Sequence, residues 1–208
     1  MKRNDKEKEY EKIYGAIPKD EEGRVLYLLN QVKSGRALKG KIFEEMDRIQ
    51  KLKWNSVSFT LYLVPKGTPR PRKGHYGNFY VAGAAENKHM FEKFFEEENL
   101  PEIHSACKIY LKSYLPIPSG MKISEKILAE LGFIRPIIKP DFDNLIKAYV
   151  DMLQGTLLLD DAFVIEGTSK KYYSIKPRIE MTIWYQVGYD SKWNADKVQT
   201  MLRHKESA

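Results

Sequence analysis

Residues 143–153 constrain this chain more than any other stretch. Set on a helix, Leu145, Ile146, Tyr149, Val150, Met152 and Leu153 cover most of the circumference, while Asn144, Lys147 and Asp151 fall at i, i+3 and i+7 on one polar stripe. A helix apolar around most of its surface has to be largely buried. Its polar stripe then borders a cleft or a wet interior site, where charge is costly unless compensated. Pro140 disfavours helix at Lys139, so the spacing predicts a helix from Asp143 or Asn144 to Leu153, with Gly155 past its end. Enclosing it takes other layers of structure, and 208 residues at 42% hydrophobic content suffice for one well-buried core.

The flanking pattern supplies those layers. In residues 56–63, Val57, Phe59, Leu61 and Leu63 alternate with Ser56, Ser58, Thr60 and Tyr62, which predicts a half-buried strand. A loop rich in proline and glycine and free of acids follows, from Gly67 to His75. A helix is predicted over 84–98, with Met90, Phe91, Phe94 and Phe95 as its apolar side. Residues 106–115 alternate again, Cys107, Ile109, Leu111 and Leu115 opposite Lys108, Tyr110, Lys112 and Tyr114. A short helix over 124–131 stops at Gly132. Residues 162–173 and 178–187 read as two strands joined by a short turn, an antiparallel pair at the end of the domain, and a last helix is predicted near 194–203. Strands mixed with helices make this an α+β chain, a mixed sheet with packed helices.

The N-terminal residues read differently. A mixed charge run fills 1–14. Asp20 then caps a helix bearing Val25, Leu28, Leu29 and Val32 that ends at Gly35, and a second amphipathic helix carries Leu38, Ile42, Met46, Ile49 and Leu52. The chain is therefore divided into a helical N-terminal extension, 1–53, and a main domain, 54–208. The extension is expected to be a hairpin that packs as a flap on the main domain or across a dimer, with a docking element for a partner as the alternative.

Composition narrows the function classes. The single cysteine, Cys107, excludes an intrachain disulfide and fits a reducing cytoplasm. The four histidines are scattered without His-x-x-x-His spacing, so zinc is not expected. No apolar run approaches the roughly 20 residues that span a bilayer, and the charged N-terminus lacks the core of a signal peptide. A soluble, cytoplasmic protein is expected. The net charge of +7 favours a polyanionic partner.

The chemistry concentrates in Lys139-Pro140-Asp141-Phe142-Asp143-Asn144-Leu145-Ile146-Lys147 and the downstream pair Asp160-Asp161. In extended chain, Asp141 and Asp143 would direct their side chains to one side, and a strand returning after Asp161 would bring the second pair beside the helix start. Clustered carboxylates repel one another unless a cation intervenes. An all-oxygen donor set suits Mg²⁺, which serves phosphate chemistry. Each residue also has a plain structural use: Asp143 as an N-cap or as the i,i+4 partner of Lys147, Asp160-Asp161 as turn residues. A calcium loop fits poorly, because Ile146 stands where an EF-hand needs glycine. In a basic chain rich in tyrosine and lysine, the pattern points to a metal-dependent nuclease.

The ordered run from Lys139 to Lys147, followed by Asp151, Leu153, Gly155 and Asp160-Asp161, resembles the RusA family of Holliday junction resolvases, common in phages and prophages. The resemblance covers residues 55–187 and leaves the first fifty outside. The segment between Leu115 and Lys139 is longer than compact members of the family need. The resemblance implies that Asp141, Asp143 and Asp161 are metal carboxylates with Asp160 adjacent, that Lys147 is the catalytic lysine, and that the cofactor is Mg²⁺, with Mn²⁺ as a substitute. It further implies a homodimer that nicks two strands of branched DNA symmetrically in recombination and repair. Arg70, Arg72 and Lys73 in the loop, Lys108 and Lys112 on the strand with Tyr110 and Tyr114, and Lys139 are the expected DNA contacts, reading backbone and shape. Two rivals are a DNA-binding accessory protein without catalysis and a metal-dependent phosphoryl or glycosyl transferase using the Asp-x-Asp pair.

Overall fold

The computed structural model describes residues 8–9, 11–12, 14–32, 35–68, 72–73, 79–80, 85–188 and 198–204. They form two compact units, 1–51 and 52–208. In the first, helix α1 (Glu21–Leu29) is capped by Asp20, whose carboxylate accepts the Gly23 N–H at 2.6 Å, and α2 (Gly35–Gln50) follows. Neither the cap nor the amphipathic spacing buries α1: Val25, Leu26 and Leu28 are all exposed.

The second unit opens with β1 (Trp54–Leu61), shifted two residues toward the N-terminus from its expected span, then the short pair β2 (Arg72–Lys73) and β3 (Phe79–Tyr80) and helix α3 (Ala85–Glu98). Strand β4 (Cys107–Pro116), α4 (Ile123–Glu130) and α5 (Phe142–Leu153) come next, then a 3-10 turn at Asp161–Phe163, β5 (Val164–Ser174) and β6 (Arg178–Gln186). Residues 198–204 are helical; the first half of the expected last helix lies outside the described residues.

The sheet is mixed, in the order β1–β6–β4–β5. Here the expected terminal hairpin is corrected. β5 and β6 are not neighbours; both flank β4, β5 parallel to it and β6 antiparallel. Loop length could not reveal this. The steps from Ser174 to Arg178 reach about 13 Å, and crossing two strand spacings needs only about 9.6 Å. The connection therefore passes the end of β4, whose Tyr114 pairs with Arg178 and whose Pro116 pairs with Ser174.

One face of this sheet carries the core. Val57, Phe59 and Leu61 of β1 pair with Ile183, Met181 and Ile179 of β6, and Ile109 and Leu111 of β4 line the next rung. Phe91 and Phe95 of α3 close on Phe59 with edge-on rings 6.5 and 5.2 Å away. Phe91 also stacks on Tyr149 of α5 at 5.8 Å. Leu145, Tyr149 and Leu153 are fully buried, whereas Ile146, Val150 and Met152 are only partly so and Phe142 is exposed. α5 is thus buried on one side, less completely than its composition suggests. Gly167 on β5 lets the helix approach, since a Cβ there would stand 2.8 Å from Ile146 Cδ1.

Candidate functional site

α5 starts one residue earlier than predicted, with Asp141 in the N-cap position. The Asp141 main-chain oxygen accepts the Leu145 N–H at 3.0 Å, but its carboxylate makes no capping bond and is left for other work. Asp143 lies in the first helical turn, where the helix dipole favours an anion. It does not share an extended segment with Asp141, because helix begins between them. Among the described residues no ion pair joins Asp143 to Lys147; the neighbour whose field Lys147 lowers is Asp151, one turn further along.

Asp143 and Asp151 therefore belong to α5, with Asp141 at its N-cap, and the 3-10 turn that carries Asp161 contacts this helix. Partial burial raises the Asp151 carboxyl above its ordinary range; Lys147 draws it back and Asp161 pushes it up again. Asp151, Lys147 and Asp161 thus share one electrostatic neighbourhood. Asp160 is used differently. Its Oδ1 accepts the Ala162 N–H at 2.9 Å, capping the 3-10 turn, and its Oδ2 accepts the Gln154 amide at 3.4 Å. Its turn role is realised, and it fixes the direction in which Asp161 leaves.

The donor set is all oxygen, with one lysine, and suits a hard divalent cation. Among the described residues no three acidic, histidine or cysteine side chains are gathered into a ready-made cage. Spacing explains part of this: Asp143 and Asp151 stand about 12 Å apart along the helix axis. Asp141 and Asp143 stand at the leading end of the helix, while Asp161 acts on Asp151 further along.

Two tethers join this helix to the loop after β1. The Asn144 amide donates to the Thr68 carbonyl at 3.2 Å, and Thr68 N–H approaches the Asn144 main-chain oxygen at 3.5 Å. Lys66 N–H donates to the Tyr149 hydroxyl at 3.2 Å, and burial pushes that phenol up to about 12. Gly67 sits against Asn144 and Pro140 so tightly that a side chain would collide with both. Of the basic residues expected in this loop, Arg70 lies outside the described residues; Arg72 and Lys73 have their backbone in β2.

Lys139 is exposed at the approach to the motif. The other expected DNA contacts lie on the face of the sheet away from the core and already have partners. Lys108 pairs with Glu166 at 2.8 Å and lies over Trp54; Lys112 approaches Glu180 at 3.4 Å. Burial opposes ionisation of Glu180, but hydrogen bonds from Arg178 and Tyr114 and the charge of Lys112 hold its carboxyl below the usual range. On the same face Arg178 lies on Tyr114, Tyr114 stacks on Tyr172 at 5.1 Å, and Arg135 covers Tyr172 at 3.5 Å.

Lys171, which no motif reading singled out, reaches from β5 to the segment that leads into Asp141. Its ammonium donates to the carbonyls of Ile138 at 2.6 Å and Pro140 at 2.9 Å. A sequence signal existed: Lys171 falls in phase with buried Ser169 and Tyr173, a lysine at an inward-facing strand position.

The family model described as endodeoxyribonuclease RusA matches residues 63–184, from just after β1 into β6. A relative in Bacillus subtilis (strain 168), the uncharacterized protein YqaN, is 31% identical over 134 residues, which cover 61% of this chain and 94% of YqaN. Among the described residues no helix is long and apolar enough to cross a membrane. With the match extending over more than half its length and enclosing the whole aspartate–lysine motif, this chain belongs to the RusA endodeoxyribonuclease family.

Proposed function

We propose that the protein is a Mg²⁺-dependent, structure-selective endodeoxyribonuclease that resolves four-way DNA junctions by paired nicks. The observation that carries this reading is the stripe of α5 itself. Asp141, whose carboxylate makes no capping bond, stands at the N-cap; Asp143 in the first turn and Lys147 one turn on share the helix with Asp151, and the 3-10 turn that contacts this helix carries Asp161, whose charge acts on Asp151. Asp141, Asp143 and Asp161 would hold the cation, with Asp160 shaping the turn beside them. When bound, it supplies Lewis acidity toward water and toward the phosphodiester oxygens. Lys147 adds a compact positive charge on the same helix, beside Asp151, suited to orienting the scissile phosphate and meeting charge that develops on it.

Lys139, exposed at the approach to the motif, and the basic residues Arg70, Arg72 and Lys73 would supply phosphate contacts. Lys108 and Lys112 contribute less directly, since each is shared with a glutamate. Residues 54–208 act as the nuclease domain and 1–53 as an appended helical extension. One chain offers one such site, and a junction offers two equivalent strands, so a homodimer is the simplest working unit; light scattering should return about twice the chain mass.

The test is substitution of the ligands. Asp141→Asn, Asp143→Asn and Asp161→Asn keep side-chain shape and lose the anion, so each should abolish metal-dependent cleavage while junction binding persists. Full cleavage by two of the three would sink the assignment.

A further inference from the structure

We propose that Lys171 is a positioning residue for the site, clamping the backbone that presents Asp141; the inference rests on the metal-site reading above. Residues 135–140 form neither helix nor strand, so no ladder satisfies their carbonyls or fixes their path. The edge strand β5 does both. Arg135 Nε donates to the Lys171 carbonyl at 2.6 Å, and the Lys171 ammonium donates to Ile138 and Pro140 in return. Three bonds made by one strand residue thus pin a segment of six.

The anchor is itself held. Arg135 lies flat on Tyr172, Tyr172 stacks on Tyr114 of β4, and Tyr114 lies against Arg178 of β6, so the clamp is tied across three strands. Charge-assisted bonds to carbonyls are among the stronger ones a protein makes. The Pro140 carbonyl and the Asp141 nitrogen belong to one planar peptide unit, so a shift at Pro140 is a shift of the capping residue. Two of the three ammonium donors of Lys171 are committed to the backbone, and the side chain is half-buried. That suits it to alignment better than to gripping a phosphate.

The test compares Lys171→Met and Lys171→Arg with wild type and with Asp141→Asn. Three readouts are used: circular dichroism for folding, amide hydrogen exchange over residues 138–146, and Mn²⁺ binding by calorimetry. In Lys171→Met, exchange over 138–146 should rise while the peptides of β4 and β6 stay protected. Mn²⁺ affinity should fall roughly 10- to 100-fold, the usual cost of losing a group that orients a metal ligand. Arginine, whose fork can still reach two carbonyls, should restore part of both. Unchanged exchange in Lys171→Met overturns the clamp. So does unchanged Mn²⁺ affinity when Asp141→Asn has lost it. If Asp141→Asn itself binds Mn²⁺ like wild type, the metal reading has failed, and the clamp stands or falls on exchange alone. Should the methionine variant not fold, the arginine variant against wild type carries the same comparison.

Discussion

Gly67→Ala puts the smallest possible side chain into the tightest contact at the site. The new Cβ would stand 3.0 Å from Asn144 Cγ and 3.3 Å from Pro140 Cβ, and would overlap the Asn144 amide nitrogen. The amide must swing off the Thr68 carbonyl, which it now reaches at 3.2 Å. Losing that bond costs about 1 kcal/mol, and crowding in a packed site typically costs about 1–3 kcal/mol. A total of about 2–4 kcal/mol lowers the melting temperature by roughly 4–16 °C for a domain of this size. Asn144→Ala alone loses only the bond and should cost about 1 kcal/mol. The double variant has no amide to collide with, so it should be at least 1 kcal/mol more stable than the two single costs added, which is the signature of direct coupling. Urea denaturation of the four proteins measures this. Because Thr68 leads directly to Arg70 and Arg72, Gly67→Ala should also weaken junction binding. Stability of Gly67→Ala within 0.5 kcal/mol of wild type, or strict additivity in the cycle, would refute the argument.

Other perturbations test separate features. Lys147→Ala should lower the cleavage rate by several orders of magnitude with little loss of junction affinity, since its charge is worth most in the transition state; near-normal turnover would reduce Lys147 to a helix-surface residue. Burial pushes the Cys107 thiol up to about 11, so at pH 8 the native protein should resist a thiol reagent that titrates one group per chain in denaturant. The folded value lies above the roughly 8.5 of a free thiol, so the folded state holds the proton more tightly. That contribution to stability is whole below about pH 8.5 and is lost as pH rises toward 11. Urea midpoints measured across that window should fall.

How far these features could be read in the residues depends on the range of the interactions behind them. The alternations at 57–63 and 107–115 and the apolar circumference of α5 are local, and β1, β4 and α5 fall within a residue or two of their expected spans. The family resemblance rested on the ordered spacing from Lys139 to Asp161, which needs no fold to be seen. Sheet order was not local: the short link between β5 and β6 fits either a hairpin or a crossing of β4, and only pairing along the whole of β4 decides. The helix start, expected at Asp143 or Asn144, came at Phe142, because Asp141 and Asp143 are both plausible caps and Pro140, not side-chain chemistry, sets where helix can start. Lys171 carried only an inward strand phase and Asn144 only a place on the polar stripe; the partners of both are main-chain carbonyls, which no sequence pattern marks. Asp160 read as a ligand neighbour through the family resemblance and as a turn residue from its type; the turn role is the one realised, in its capping of Ala162.

The most direct measurement is cleavage of a labelled four-way junction beside a linear duplex of the same sequence, each with Mg²⁺ and with EDTA. The account predicts paired nicks at symmetric positions in the junction with Mg²⁺, none in EDTA, little cutting of the duplex, and loss of all cleavage in Asp161→Asn. Cleavage that survives EDTA, or that persists in Asp161→Asn at the wild-type rate, would contradict it.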